Sequence, residues 1–326
     1  MNILITGGAG FIGSHLAERC LAEGWKVDVL DDLSTGSIEN LRHLKPHPRF
    51  AYTIDSLFHQ SVVAELVDAA DLVFHLAAAV GVRLVMESPV RTIETNVRGT
   101  EVVLAAAAKK RKSVVLASTS EVYGKGLSLP FCEDADIVMG ATTVGRWSYA
   151  CSKALDEFLG LAYWAEKRVP VTVVRFFNTV GPRQTGRYGM VLPTFVRQAL
   201  ANEDLTVYGD GQQQRCFGYV GDAVEALVRI ARADTVAGQV LNIGNDQEIS
   251  MNALAQFVRQ RTGSTSSVVH VPYHLAYGPG FEDMARRVPS LAKLQALTGF
   301  RPTTPIEAIV DLVIEEHRER PALRAA

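Results

Sequence analysis

The sequence has few cysteines and no strong charge surplus, and both absences exclude classes of protein. Its four cysteines, Cys20, Cys132, Cys151 and Cys216, are widely spaced among 326 residues and form no Cys-x-x-Cys pair. This spacing excludes the usual disulfide and zinc patterns and favours reduced thiols in a cytoplasmic protein. The formal net charge of -2 argues against a nucleic-acid-binding protein, which normally carries a basic surplus.

Long apolar runs and internal repeats are lacking as well. No apolar stretch reaches the roughly 18 residues of a membrane span, so we expect no membrane insertion. The N-terminal run MNILITGGAGFIG has no basic leader and turns glycine-rich after five residues. It therefore predicts a strand that enters a loop, not a signal peptide. The composition is that of an ordinary globular protein, with 48% hydrophobic and 21% charged residues.

Short β-branched runs alternate with helical patterns in the first half of the chain. This alternation predicts an α/β fold, a Rossmann-type doubly wound parallel sheet with helices on both faces. Strands are predicted at Asn2–Thr6, Lys26–Leu30, Ala51–Ile54, Leu72–Leu76, Ser113–Ala117 and Val171–Phe176. Helices are predicted at Ser14–Ala22, Val62–Ala69, Glu94–Lys110 and Ser148–Glu166. A flavodoxin-like sheet that binds no dinucleotide is the alternative, and the first loop bears on that choice.

The pattern changes near Gly181, where glycine, proline and arginine concentrate. We predict that residues 1–180 form a dinucleotide-binding domain and that residues 181–326 form a smaller α/β substrate domain interwoven with it. Val240–Ile243 is predicted to be a strand that returns to the main sheet. Further helices are predicted at Leu192–Leu200, Asn252–Arg261 and Ile306–Glu316, and residues 321–326 as a frayed tail.

The loop after the first strand, GGAGFIG at residues 7–13, has glycines three residues apart, a variant of the dinucleotide-binding fingerprint. Glycine allows a tight turn, close approach of the backbone to a pyrophosphate, and close packing of helix on strand. The following helix offers free N–H groups and its positive dipole end to phosphates. The residues expected to contact the cofactor here are Gly7, Gly10, Phe11, Ile12 and Gly13.

An acidic residue, Asp31, ends the second predicted strand eighteen residues after Gly13. A carboxylate at this place accepts hydrogen bonds from the adenosine ribose hydroxyls and repels a 2′-phosphate. The loop and this acid together therefore predict NAD as the cofactor in preference to NADP. Asp55, after the third strand, is predicted to reach the adenine amine.

Tyr149 and Lys153 are four residues apart in a predicted helix, so their side chains share one face. We expect the lysine cation to lower the pKa of the phenol, which makes Tyr149 a general base. Lys153 is also expected to hold the nicotinamide ribose. A Tyr-x-x-x-Lys pair is frequent by chance, and an aromatic core residue beside a solvated lysine is the alternative.

Two further segments lie where predicted strands end, which is where open α/β sheets bind ligands. Thr119 and Ser120 follow the fifth strand and are expected to hydrogen-bond the substrate oxygen that Tyr149 deprotonates. Glu121 adds an acid/base group one residue further along. Asn178 follows the strand Val171–Phe176 and is a candidate substrate-binding residue.

Several of these segments together resemble the extended short-chain dehydrogenase/reductase family, over roughly residues 1–315. They are TGGAGFIG, HLAA, STSEVYG, YACSK, RFFNTVGPR and RRVP. The likeness is closest to the branch that acts on UDP-glucuronic acid. It implies NAD, a UDP-sugar substrate and oxidation at C4, and it places Arg215 and Arg287 near the diphosphate or the sugar carboxylate. In relatives, two long helices such as Glu94–Lys110 and Ser148–Glu166 form an intersubunit four-helix bundle, so a homodimer is expected.

The residues favour one outcome of C4 oxidation while leaving others open. Glu121 favours chemistry at C5 and hence a UDP-glucuronic acid decarboxylase that yields UDP-xylose or a UDP-4-keto-pentose. Arg83 and Arg187 resemble the residues that grip the carboxylate in uronate 4-epimerases, so 4-epimerisation of UDP-glucuronate or UDP-glucose is the alternative. A 4,6-dehydratase is less favoured because Ser120 is a poor acid. A non-catalytic NAD-binding module is disfavoured because Thr119, Tyr149 and Lys153 are all present.

Overall fold

The computed structural model describes residues 1–126, 128–186, 190–277, 284 and 286–319. Its strands are β1 (Asn2–Thr6), β2 (Lys26–Asp31), β3 (Phe50–Ile54), β4 (Leu72–His75), β5 (Ser113–Thr119), β6 (Val171–Phe176), β7 (Thr179–Val180), β8 (Leu205–Tyr208), β9 (Gln214–Cys216), β10 (Gly218–Tyr219), β11 (Val240–Ile243), β12 (Glu248–Ser250) and β13 (Val268–Val271). Its α-helices are α1 (Phe11–Ala22), α2 (Gln60–Ala69), α3 (Val82–Glu87), α4 (Pro89–Ala108), α5 (Trp147–Lys167), α6 (Val191–Ala201), α7 (Val220–Arg232), α8 (Met251–Thr262), α9 (Tyr273–Tyr277), α10 (Ala292–Thr298) and α11 (Ile306–Glu319).

Seven parallel strands form the central sheet in the order β11-β6-β5-β4-β1-β2-β3. The chain runs outward from β1 to β2 and β3, then crosses back to β4 on the other side of β1. This reversal of strand order opens a crevice at the carboxyl ends of β1 and β4, where doubly wound sheets bind ligands. The predicted Rossmann-type fold is confirmed, and the late strand β11 pairs with β6 at the sheet edge.

Apolar side chains cover both faces of the sheet, as a buried parallel sheet requires. One core joins β1 and β2 to α1 and α7, and the other joins β4, β5 and β6 to α2 and α4. Helix α7 was not predicted from the sequence, although it buries Val224, Leu227 and Val228. It begins directly after the short strand β10 with no proline or capping side chain to mark its start, which explains the omission.

A separate core lies in the second half of the chain, above the carboxyl ends of the strands. Helices α6, α8 and α11 pack there with β8 around residues such as Leu192, Phe195, Leu254 and Ile309. This arrangement places Gln184, Arg215 and the start of α6 opposite the first glycine loop. None of the helices in the described ranges is long and apolar enough to cross a membrane.

Candidate active site

One cavity of about 1450 Å³ extends along the carboxyl ends of the strands and on toward α6. This is larger than the roughly 300–1,000 Å³ typical of a small-molecule pocket, so it has room for two extended ligands. The predicted site residues that line it are Gly7, Gly10, Phe11, Ile12, Gly13, Asp31, Asp55, Thr119, Ser120, Glu121, Tyr149, Lys153, Asn178, Arg215 and Arg287. Arg187 and the side chain of Arg83 lie outside the described residues.

The glycine loop leaves no space for side chains where helix α1 meets the sheet. A Cβ on Gly13 would lie 2.3 Å from the Gly7 carbonyl oxygen, and one on Gly7 would lie 2.7 Å from the Ala77 nitrogen. Gly7 also has a positive φ of 72°, which side-chain-bearing residues rarely adopt. Helix α1 starts at Phe11 with Gly10 before it, so its first N–H groups face the cavity as a phosphate site requires.

Asp31 is fixed beside this loop by two backbone hydrogen bonds. Its Oδ2 accepts a hydrogen bond from the Ala9 N–H at 2.9 Å and its Oδ1 accepts one from the Leu33 N–H at 2.8 Å. Burial raises the pKa of this carboxyl, while both hydrogen bonds oppose the rise. Each oxygen retains a lone pair for a ribose hydroxyl, and the loop and carboxylate therefore fit NAD.

Asp55, predicted to reach the adenine amine, lies at the far end of the same cavity wall. Its carboxylate accepts a hydrogen bond from the Ser56 N–H at 2.7 Å and contacts the His59 ring. The Ser56 hydrogen bond, joined by that of His59, holds its pKa below the usual range. Asp55 is thus an ionised acceptor at this end of the cavity, and its contact with adenine stays a prediction.

We expect Gly13→Ala to weaken NAD binding by at least about tenfold, because the added methyl would push α1 away from the glycine loop. Gly99→Ala is the matched control, since a Cβ there meets only the flexible side chain of Leu57 and alanine favours a helix. Titration calorimetry with NAD measures both dissociation constants. Equal NAD affinity in the parent and in Gly13→Ala would contradict the assignment of this loop.

Tyr149 and Lys153 lie on α5, and Thr119 ends β5 opposite them. Burial raises the pKa of Tyr149, the charges of Glu121 and Asp156 raise it further, and a hydrogen bond with Thr119 lowers it. Lys153 Nζ instead lies 2.7 Å from the Asp156 carboxylate. The pKa of Tyr149 is therefore raised by the protein's own side chains and not lowered as predicted, and Lys153 is paired with an acid that was not predicted from the sequence.

Glu121 lies in a short 3-10 turn, Ser120–Tyr123, whose start is capped by Thr119. Arg146 Nη2 lies 3.0 Å from one carboxylate oxygen of Glu121, and Arg287 Nη1 contacts the other. These arginines, joined by Arg215, overcome the effect of burial and lower the pKa of Glu121 to about 2. Glu121 is therefore ionised near neutral pH, so it can act by its negative charge and does not enter the reaction as an acid.

Arg146 is a site residue that sequence reasoning missed. It precedes Tyr149 by three residues, its side chain is almost fully buried, and it binds Glu121. Its position in GRWSYACSK, next to the Tyr-x-x-x-Lys pair, could have indicated that it belongs to the site. The sequence did not show which side chain it would contact. Arg146, Arg215 and Arg287 line the cavity around Glu121, and their guanidinium groups can bind an anionic ligand there.

The remaining predicted substrate residues also line the cavity. The Asn178 side chain donates to the Cys216 carbonyl at 3.0 Å, which ties the end of β6 to β9. Arg215 lies on β9 and donates to the Gln214 carbonyl at 2.8 Å. Both residues line the cavity, and their contacts with substrate stay predictions.

Comparison with known proteins agrees with the fold. Residues 3–244 match the model of the NAD dependent epimerase/dehydratase family. The chain is 46% identical to a UDP-N-acetyl-alpha-D-glucosaminuronate decarboxylase of Bacillus cytotoxicus, over 97% of both chains. It is 35% identical to UDP-glucuronic acid decarboxylase 1 of Xenopus tropicalis, over 98% of this chain and 72% of that one.

Among solved structures, UDP-glucuronic acid 4-epimerase of Bacillus cereus, in complex with UDP-glucuronic acid and NAD, aligns with a TM-score of 0.88. The sequence identity there is 25%, over 98% of this chain and 99% of that one. The matched family model covers the seven strands of the central sheet, from residue 3 onward, with the glycine loop, Thr119, Tyr149 and Lys153. The chain therefore belongs to the NAD dependent epimerase/dehydratase family and is an NAD-dependent enzyme.

Proposed function

We propose that this enzyme oxidises C4 of a UDP-linked uronic acid and then releases the C6 carboxylate as carbon dioxide. The observation that carries the proposal is 46% identity, along nearly the whole chain, to a decarboxylase of such a substrate. A second relative at 35% identity carries out the same class of reaction on UDP-glucuronic acid. The product would be a UDP-linked pentose, UDP-xylose or its 4-keto form when glucuronic acid is the sugar.

The cofactor would be held at the glycine loop, with its adenosine ribose at Asp31 and its nicotinamide ribose at Lys153. Bound NAD supplies the acceptor for the hydride that leaves C4. Tyr149 is placed to take the proton of the C4 hydroxyl at the same step, because it lines the cavity beside Lys153 and hydrogen-bonds Thr119. The hydroxyls of Thr119 and Ser120 orient the same substrate oxygen.

Decarboxylation follows from the position of the new ketone. A C4 ketone lies β to the C6 carboxylate, so the electron pair of the breaking C5–C6 bond moves into the ketone and forms an enolate. The hydroxyls of Thr119 and Ser120 stabilise the developing negative charge on O4. The arginines around Glu121 attract the anionic substrate. The negative charge of Glu121 weakens their binding of the uronate carboxylate in the ground state.

The two relatives are named for uronic acids that differ at C2, where one sugar has a hydroxyl and the other an acetamido group. We propose that both are accepted and that the acetamido sugar is the better substrate, because identity is 46% to the relative named for it and 35% to the relative named for UDP-glucuronic acid. A ratio of kcat/KM below one for the acetamido sugar against UDP-glucuronic acid would contradict this order.

Incubation of the purified protein with NAD and each uronate tests the reaction itself. Mass spectrometry and NMR should show a UDP-pentose with the loss of carbon dioxide. A product of unchanged mass would instead identify a 4-epimerase, and a product lacking water would identify a dehydratase. No turnover of either uronate would overturn the proposal.

The 4-epimerase alternative rests on weaker support. It relies on the structural likeness to the UDP-glucuronic acid 4-epimerase, at 25% identity. It also relies on Arg187 and the Arg83 side chain, both outside the described residues. The described cluster of Glu121 with Arg146 and Arg287 fits C5 chemistry better, because a simple 4-epimerase needs no carboxylate there.

We also propose a homodimer formed through α4 and α5. These helices pack on each other and still expose large apolar side chains, with Val90 67%, Phe158 66% and Leu155 51% accessible. Such an unpaired apolar surface is unfavourable in water and typical of an interface. The UDP-sugar and a second copy of this chain are therefore the partners we propose.

We expect Phe158→Glu to convert the dimer to a monomer at micromolar concentration, since a charge would be buried in the apolar interface. Leu275→Glu is the control, because Leu275 is 70% exposed on the separate helix α9. Light scattering after gel filtration measures both masses. A parent protein that is itself monomeric would refute the dimer.

A further inference from the structure

Asp156 and Lys153 form an ion pair inside the protein, away from solvent. They lie three residues apart on α5, and Lys153 Nζ is 2.7 Å from Asp156 Oδ2. The side chains are 3% and 0% exposed, respectively. A buried ammonium without a partner is strongly unfavourable, so an acid at this distance has a large influence on where the lysine side chain lies.

Polar side chains of the neighbouring elements lie next to Asp156. Burial raises the pKa of its carboxyl, while the charge and hydrogen bond of Lys153, and Thr100 on α4, oppose the rise. Thr100 Oγ1 in turn lies 3.2 Å from His75 Nε2, and His75 Nδ1 lies 2.7 Å from Thr6 Oγ1 at the end of β1. Burial lowers the pKa of His75 to about 3, so the ring is neutral and bridges the two hydroxyls. Hydrogen bonds therefore connect the end of β1 with Thr100, which lies next to Asp156.

The charged groups around Tyr149 can be named element by element. Lys153 and Asp156 share its helix, and Glu121 faces it from the turn after β5. Glu157, the next acid on α5, is bound by Arg175 of β6 at 2.6 Å. His75 on β4 is neutral. Among these groups, Asp156 is an acid that raises the pKa of Tyr149 and also binds Lys153, the lysine of the Tyr-x-x-x-Lys pair.

We propose that Asp156 is a positioning residue for C4 oxidation: it fixes the Lys153 ammonium, balances its charge, and so sets the pH range in which Tyr149 acts as a base. The proposal rests on the proposed function only in taking Tyr149 to accept the C4 proton. Because Asp156 balances the charge of Lys153, the lysine does not lower the pKa of Tyr149 when only the protein's own side chains are considered. The proposal also assigns a role to an acid that the Tyr-x-x-x-Lys pattern does not include.

The test is the pH dependence of kcat/KM for the uronate with NAD-loaded Asp156→Asn. Removal of the anion favours the phenolate, so the acidic limb should move to lower pH by about one unit. The plateau value of kcat should fall roughly tenfold, because Lys153 is no longer fixed. Asp156→Glu keeps the negative charge, so the acidic limb of its pH profile should lie at the same pH as in the parent protein.

Glu166→Gln is the matched control, with the same loss of charge at an exposed position on the same helix. Its profile should coincide with that of the parent. If Asp156→Asn does not fold, Asp156→Ser makes the same test with a smaller side chain. A limb that stays within about 0.2 unit of the parent in the folded variant would overturn the proposal, since it would mean that Asp156 carries no charge that Tyr149 senses.

A second readout does not depend on turnover. The ultraviolet absorption of tyrosinate is followed against pH in the NAD-bound protein, and the curve of Tyr149→Phe is subtracted to isolate Tyr149. The phenolate should appear at lower pH in Asp156→Asn than in the parent, and coincident onsets would overturn the proposal. If the parent releases no carbon dioxide but the phenolate still appears at lower pH in Asp156→Asn than in the parent, the proposed function alone would be refuted.

Discussion

Replacement of Tyr149 by phenylalanine should reduce C4 oxidation by about 1,000-fold, within the range that general acid–base groups contribute. The ring keeps its packing, so only the hydroxyl that hydrogen-bonds Thr119 is lost. NAD binding should persist, because the glycine loop and Asp31 are untouched. Single-turnover reduction of NAD by the UDP-uronate measures this step separately from release of carbon dioxide.

Tyr163→Phe provides the control for this experiment. It removes a hydroxyl from the same helix α5, fourteen residues further along, where the ring lies under the Lys167 ammonium. Its rate of NAD reduction should equal that of the parent. If Tyr149→Phe kept more than about a tenth of the parent rate, another group would have to be the base.

The pH dependence of the parent should reflect the environment of Tyr149. Because burial and two acids raise the pKa of its phenol, the base becomes available only as the pH rises, and the protein's own side chains do not supply the compensating charge. NAD bound at the glycine loop, Asp31 and Lys153 would bring a positively charged nicotinamide, which would supply that charge. This explains how a tyrosine with an unfavourable environment can still serve as the base in the loaded enzyme.

Local patterns in the sequence were sufficient to predict the sheet and the cofactor loop. Parallel strands such as Val171–Phe176 are short runs rich in β-branched residues, and glycine spacing is itself a steric requirement, so both can be recognised from the sequence. Helix α7 was not predicted, because no capping side chain or proline marks its start. Thr119 at a predicted strand end and Tyr149 in a predicted helix both line one cavity, although the distance between them could not be predicted from the sequence.

Charge pairing, in contrast, could not be predicted from the sequence. Lys153 is bound by an acid three residues away on its own helix, and that acid looks like any other helical residue until its burial is known. Arg287 reaches Glu121 across 166 residues of chain, and Arg146 reaches it across 25. The pKa of a site residue depends on exactly such contacts and on desolvation, which is why the expected effect of Lys153 on Tyr149 was wrong.

Replacement of Glu121 by glutamine should separate the two chemical steps. Release of carbon dioxide should fall about 100-fold, which corresponds to roughly 2.7 kcal/mol of added ground-state stabilisation of the uronate carboxylate. Oxidation at C4 should be retained, because Glu121 raises the pKa of Tyr149 and its loss favours the phenolate. NADH and the 4-keto uronate should therefore accumulate, which absorbance and mass spectrometry detect.

The physical reason lies in the two arginines that bind Glu121. Without the charge of Glu121, the attraction of Arg146 and Arg287 for the uronate carboxylate should increase. A carboxylate held by two arginines is stabilised in the ground state and harder to expel, so KM should fall together with kcat. Glu101→Gln, an exposed change on α4, should leave both constants unchanged. Release of carbon dioxide at the parent rate in Glu121→Gln would show that the carboxylate departs without help from this cluster.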